Sequence, residues 1–276
     1  MARPKLTDAN YYSDEANWAY MSASQFKAFK RCPAAAMAEL RGEWKRKGSS
    51  SALLVGSYVD AYFSGELEQF KAATPELFKR DGSLKAEFAN AQTIAERLER
   101  DELARMLLAG KHQVIKTGKI GGVWYKAKFD SLLSAAQVKA ICKKFPAVQS
   151  LVPFGGNMIV DLKTMRDFEQ MWSDEYQERV SPIIYWGYDI QGAIYQALDK
   201  RSAPFVILGV TKETEPDIAA MYVPDEDLSC AFSEVEYWSP KFAAMKRGEI
   251  EPHRCEKCEY CKSTKVLSGI RNFREV

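Results

Sequence analysis

Histidine is nearly missing from this 276-residue chain, which has only His112 and His253. A His-rich metal site or a Ser-His-Asp triad therefore has little material to work with. One-sided charge is missing as well: 39 Lys and Arg stand against 37 Asp and Glu, a formal net charge of +2 that does not by itself announce a nucleic-acid partner. No apolar run approaches the length of a membrane span. The opening stretch MARPKLTDANYYSDEANW lacks the apolar region of a secretory signal, so the expectation is a cytoplasmic protein with no membrane association. In that compartment thiols stay reduced, and six cysteines point to metal binding rather than to disulfides.

What remains is ordinary globular material, 46% hydrophobic and 28% charged, with enough length for one large domain over 1–276. The first 110 residues read as mainly helical. Segment 22–47 can be capped by Ser22 or Ser24, and Phe26, Phe29, Ala36, Met37 and Leu40 recur near helical spacing, with Pro33 ending one helix or beginning another. Segment 49–70 follows a Ser-rich cap, and 84–109 is rich in Ala, Leu, Glu and Arg. Two basic clusters, KAFKRC (27–32) and RGEWKRKGSS (41–50), interleave with Phe26, Phe29 and Trp44; alone they read as a solvated helix face.

After residue 110 the texture turns to β. HQVIKTGKIGGVWYKAKFDSLL is a hairpin with its turn at 117–122. Its second strand places Val123, Tyr125, Ala127 and Phe129 on one face and Trp124, Lys126, Lys128 and Asp130 on the other. A short helix over 135–145 and a turn at PFGGN (153–157) lead to the strand IVDLKT (159–164). YDIQGAIYQALDK carries Ile190, Ala193, Ile194, Ala197 and Leu198 at the spacing of a packed helix. Two strands in PFVILGVTKETEPDIAAMYV and a helix over 225–247 complete the pattern, without repeats.

Three acids occupy positions that composition does not explain. Asp161 and Lys163 share one face of a strand whose other face is Val160 and Leu162, so a structural ion pair is the simplest account of the two. Asp130 ends the polar face of its own strand, and Asp60 lies inside the otherwise apolar helix GSYVDAYF, where pairing or a metal must offset its desolvation. Gln191 and Tyr195 lie four apart on a later helix, beside its apolar stripe.

The order helix acid, strand acid, D-x-K, Q-x-x-x-Y resembles the PD-(D/E)xK nuclease superfamily, in particular RecB-type modules and RecE-like phage exonucleases. SASQFKAFKRCPAAAMAE also resembles the opening helix of RecB-like modules, and the similarity spans residues 20–262. The resemblance implies an α/β fold with a central mixed sheet flanked by helices, a restriction-endonuclease-like core. It implies that Asp60, Asp130, Asp161 and the Leu162 carbonyl hold Mg²⁺ or Mn²⁺, that Lys163 orients the attacking water, and that Gln191 and Tyr195 position substrate or helix. The substrate implied is DNA, cut by a metal-dependent exonuclease in phage or prophage recombination inside a bacterial host. A single-strand annealing recombinase is the implied partner, and a homo-oligomer is plausible by analogy. The other readings are a helicase-associated repair or CRISPR-adaptation nuclease, or a non-catalytic metal-stapled DNA-binding module. Two departures stand out: Asp60 takes a position often held by His, and 30 residues lie between Asp130 and Asp161 where the family usually has a short turn. Residues 131–157 are accordingly expected to be an insertion carrying a helix.

Near the C-terminus, within 250–265, Cys255, Cys258 and Cys261 form C-x2-C-x2-C, a spacing that lets thiolates curl around one centre. Cys32, before Pro33, is the fourth ligand that the resemblance supplies, because RecB-like nucleases of the AddB kind close a 4Fe-4S iron-sulfur cluster with one N-terminal cysteine and a C-terminal trio. The last step of the trio is shorter here than in those relatives, and zinc is the alternative. Cys142 and Cys230 stand alone among apolar neighbours and are expected in the core.

Overall fold

The computed structural model describes residues 3–45, 50–151, 156–200, 203–267, 269–270, 272 and 274. Its strands are β1 (Lys111–Ile120), β2 (Val123–Leu133), β3 (Met158–Met165), β4 (Met171–Ser173), β5 (Glu178–Val180), β6 (Phe205–Thr211) and β7 (Ile218–Tyr222). The helices before the sheet are α1 (Asp14–Ala19), α2 (Ala23–Arg31), α3 (Pro33–Leu40), α4 (Ser50–Ser64), α5 (Leu67–Ala73), α6 (Ala89–Arg100) and α7 (Glu102–Leu107). Those that follow are α8 (Ala135–Lys144), α9 (Pro182–Tyr185), α10 (Tyr188–Leu198), α11 (Asp225–Lys246) and α12 (Glu259–Ser263).

The central sheet runs β1-β2-β3-β6-β7, antiparallel except for the parallel pair β3 and β6, while β4 and β5 form a separate ribbon. This is the expected mixed α/β architecture, with helices on both faces. Side chains alternate between two cores because strand residues point to opposite faces. Ile159, Phe205 and Ile207 face α2, α10 and α11 together with Phe26, Phe29, Ile194 and Phe242. Val160, Leu162, Val206 and Leu208 face α4, α6 and α8 with Val59, Ile94, Leu98 and Ile141.

Several boundaries differ from the sequence expectation, each for a local reason. Pro33, by contrast, begins a helix as expected: α2 stops at Arg31, and α3 starts on the proline, whose missing N–H costs nothing at a first-turn position. Ser22 is the cap of α2, its hydroxyl accepting from Gln25 N at 3.2 Å, and the helical run ends at Leu40. The stretch 84–109 breaks where Asp101 accepts from Ala104 N and caps α7. The hairpin turn is tighter than expected, confined to Gly121 and Gly122, both at positive φ. The Ser-rich cap at Ser49, most of the 153–157 turn and residues 46–49 of the second basic cluster fall outside the described residues. Cys142 is buried as expected, whereas Cys230 lies on an exposed face of α11 and is not a core residue.

One distortion of the sheet positions everything that follows. β2 pairs with β3 only over Ser131–Leu133, and at Asp130 the two strands part. There the Asp130 carboxylate replaces a main-chain acceptor and takes the Leu162 N–H at 2.9 Å. Past the fork Met21 fills the edge that β3 has left: its N–H donates to Trp124 O, and its carbonyl accepts from Lys126 N, both at 2.8 Å. Unpaired main-chain groups inside a protein are costly, so the fork persists only because both branches find partners. The insertion between the two acids does carry a helix, α8, capped by the reciprocal Ser134 and Gln137 box. It leaves from β2 and returns to β3 without disturbing their register.

Candidate active site and cysteine cluster

The fork opens into a cavity of about 230 Å³ lined by Asp60, Asp130, Asp161, Lys163, Gln191 and Tyr195, the full set of side chains that the motifs single out for it. Each carboxylate is tethered by a different neutral donor. Gln113 Nε2 donates to both oxygens of Asp60 at 3.2 Å, the Leu162 N–H holds Asp130, and Gln191 Nε2 donates to Asp161 Oδ1 at 2.7 Å. Gln191 reaches that far because α10 is pressed onto the sheet: a Cβ on the adjacent Gly192 would sit 2.4 Å from Phe205 Cδ1.

Asp161 is 1% exposed and pairs with the Lys163 ammonium two residues on, as the shared strand face requires. The Lys163 Nζ also points at Leu162 O, 3.4 Å away, and lies 5.4 Å from the Tyr188 ring centroid. Burial disfavours its charge, but the Asp161 and Asp130 carboxylates outweigh that and hold its pKa above the ordinary lysine value. Asp130 is pushed well up by burial and by Asp161, and Asp60 is raised by burial with Asp161 adding to it. Tyr195 is buried, its hydroxyl donating to Lys128 O at 3.3 Å and its ring 4.8 Å from that of Phe129.

These features fit a hard divalent cation. Three carboxylates share one cavity with Lys163, and Asp161 Oδ2, the oxygen that Gln191 does not hold, faces the Lys163 ammonium. Oxygen donors of this kind suit Mg²⁺ or Mn²⁺, and the Leu162 carbonyl lies beside them.

The sequence did not single out the rest of the wall. Tyr11, Tyr12 and Asn17 come from the N-terminal segment, which covers the face of β2 that its polar pattern left to solvent. Lys126 is 2% exposed and donates to Tyr11 O and to Asn17 Oδ1; burial pulls its pKa down to about 8. Lys27, from the first basic cluster, joins the wall, donates to Trp186 O at 3.1 Å, and is likewise lowered to about 8 by burial and then by Lys163. Its neighbour Lys30 is engaged by Glu175 and Glu234. Gln113 left no sequence signal; it lies at φ +52° opposite the fork, a conformation only the tertiary structure reveals. Neither histidine lines the cavity, although His112 Nδ1 is 3.1 Å from the Asp130 carbonyl.

At the other end of α2 the four cysteines converge. The Sγ atoms of Cys32, Cys255, Cys258 and Cys261 lie within 4.8 Å of one another, with Cys32 to Cys261 at 3.6 Å and Cys255 to Cys261 at 4.0 Å. Cys32 and Cys261 are buried, and Trp44 and Tyr260 close the group with rings 5.6 Å apart. Trp44 thus packs against the cysteines. A metal ion fits this donor set of four converging thiols.

A forked mixed sheet with D-x-K on one branch and a second acid on the other is the core of the PD-(D/E)xK nuclease superfamily. The chain belongs to the family described as a PDDEXK-like domain of unknown function (DUF3799), whose model matches residues 22–142 and 151–264. It is similar to the crystal structure of a candidate exonuclease from Eubacterium rectale, with 39% identity, TM-score 0.83, and coverage of 99% of this chain and 98% of that one. A second solved structure, SSO0001, aligns with 78% of this chain and 94% of its own at 13% identity and TM-score 0.29, too distant for any inference. No curated protein matches the chain. Among the described residues no helix is long and apolar enough to cross a membrane.

Proposed function

We propose that the protein is a Mg²⁺- or Mn²⁺-dependent deoxyribonuclease that degrades DNA from ends, with residues 1–276 acting as one nuclease domain. The observation that carries this reading is the convergence of Asp60, Asp130, Asp161 and Lys163 at the fork between β2 and β3. When bound by the three carboxylates and the Leu162 carbonyl, the divalent ion supplies Lewis-acid stabilisation of charge on a phosphate oxygen. The chain does the rest. Gln191 fixes one oxygen of Asp161, and the Leu162 N–H fixes Asp130, so neither carboxylate must reorganise during the reaction. Lys163, kept charged by its carboxylate neighbours, orients the attacking water and meets the charge that grows on the phosphate. Tyr195 braces β2 through the Lys128 carbonyl, and Lys27 offers a half-buried cation to the phosphate backbone.

The similarity to a candidate exonuclease supports action at DNA ends, and the resemblance to RecE-like enzymes extends the reading to the cytoplasm of a bacterial host. The RecE-like resemblance alone extends the reading to phage or prophage recombination beside a single-strand annealing recombinase, with a homo-oligomer as the working form. The test is digestion of end-labelled linear duplex and of closed circular DNA in Mg²⁺. Linear DNA should be shortened from its ends and the circle spared, and Lys163→Ala should lose at least about 10³-fold in rate while still binding DNA. Cleavage of the circle would remove the end requirement, and a fully active Lys163→Ala would remove the catalytic assignment.

A further inference from the structure

We propose that Cys32, Cys255, Cys258 and Cys261 hold a single tetrahedral ion of the zinc class, not the multi-iron cluster that the family resemblance implies. Distances argue for the single ion. A zinc–thiolate bond of about 2.3 Å places the sulfurs of a tetrahedron about 3.8 Å apart. The separations of 3.6 Å and 4.0 Å from Cys32 and Cys255 to Cys261 bracket that value, and no pair exceeds 4.8 Å. In a cuboidal cluster each thiolate binds a different iron and points outward, which spreads the four sulfurs to roughly 6 Å. The groove beside the cysteines, about 330 Å³, touches Cys32 and Cys258 but not the other two. A cluster lodged there would require Cys255 and Cys261 to swing out of their packed positions.

The backbone is arranged for the same end. Cys258 N donates to Cys255 Sγ at 3.4 Å and Cys261 N to Cys258 Sγ at 3.5 Å, so each x2 step folds an N–H back onto the preceding sulfur. Such bonds disperse thiolate charge and offset the excess that four thiolates leave on one divalent ion. With four protein ligands and two of the cysteines buried, the site is closed and leaves no position for a substrate, which is the mark of a structural centre. Cys32 joins α2 to α3, and Ala34 N donates to His253 O at 3.1 Å beside it. The ion therefore ties the C-terminal segment to the helix whose opposite end carries Ser22, Ser24 and Lys27 into the reactive cavity.

The test is elemental and sulfide analysis of the full chain purified without oxygen, followed by replacement of the native metal with Co²⁺. We expect one zinc per chain, no acid-labile sulfide and no visible colour. The Co²⁺ form should show the intense ligand-field bands of a tetrahedral thiolate site. Cys142→Ser should leave metal content and spectrum unchanged, and Cys32→Ser should lose most of the metal. Should Cys32→Ser fail to fold, Cys258→His keeps the question open to decision: a tetrahedral zinc site accepts three thiolates and an imidazole, so this variant should retain about one ion with a shifted Co²⁺ spectrum. Brown protein with several irons and matching sulfide overturns the proposal, as does wild-type protein without bound metal.

Discussion

The two ends of α2 gather like groups in opposite ways. At its C-terminal end four cysteines close on one another until their sulfurs lie within 4.8 Å. At its N-terminal end three carboxylates are each held back by a separate neutral donor, Gln113, the Leu162 N–H or Gln191, around about 230 Å³ of open space. The first arrangement would saturate an ion with protein ligands. The second leaves room for a phosphate and a water, the distinction that separates structural from catalytic metal sites. The open site holds its carboxylates at a cost: Asp60 and Asp130 are raised first by burial and then by Asp161, Lys163 offsets part of this, and protons or a bound cation relieve the rest.

That difference breaks most visibly at Asp130. Asp130→Asn should lower hydrolysis by at least about 10³-fold and yet raise the melting temperature of the cation-free protein at neutral pH. The sign follows from linkage. A carboxyl whose folded pKa is raised binds its proton more tightly in the folded state, so it supports folding fully below its unfolded pKa, about 3.9, and loses that support as pH rises through the folded value. In EDTA, calorimetry should show wild-type stability falling as pH climbs above about 4, Asp130→Asn falling less, and Mg²⁺ restoring the wild type. A cation-free Asp130→Asn that melts below wild type at neutral pH would show that no repulsion is stored there.

A smaller effect probes the tethers. Gln191→Ala frees one oxygen of Asp161 without removing a carboxylate, and outer partners of this kind typically contribute 10- to 100-fold, so activity should drop by about that factor. Titrating activity with Mn²⁺ should show a raised requirement for the ion; an unchanged requirement means that Gln191 only packs. Smallest of all is Tyr195→Phe. It removes a 3.3 Å hydrogen bond to Lys128 O while keeping the ring against Phe129, and should cost about 1 kcal/mol of stability or less and no more than a few-fold in rate. A hundredfold loss in rate with normal stability would place the hydroxyl in contact with substrate.

The two ends were also unequally legible. D-x-K, Q-x-x-x-Y and C-x2-C-x2-C are local patterns, and strand and helix periodicity alone places their members on one face or around one point. Ser22 as a cap and α8 as the content of the insertion were readable for the same reason. Pairing of β2 with β3 across that insertion was not, because register depends on partners distant in sequence, and Asp130 takes its place only where those strands part. The alternation in β2 gave the correct split of faces but the wrong surroundings. Lys126 reads as solvent-facing, and it is buried because carbonyl and amide oxygens of residues 11 and 17 replace its water. Cys230 erred the other way: its apolar neighbours in sequence say nothing about which side of α11 it occupies.

By itself, the sequence determined the order of elements, the shared face of Asp161 and Lys163 and the C-terminal cysteine trio, since each rests on spacing within a single segment; the mixed-sheet class, the full acid set and Cys32 came through the family resemblance. Tertiary structure alone decided three further things: that β2 and β3 fork at Asp130, that the N-terminal segment walls the cavity, and that the sulfurs of Cys32 and the C-terminal trio come within 4.8 Å of one another. The physical reason is common to all three. Each is a contact between segments far apart in the chain, fixed by packing and by the need to satisfy buried polar groups, and neither requirement leaves a periodic trace in any one segment.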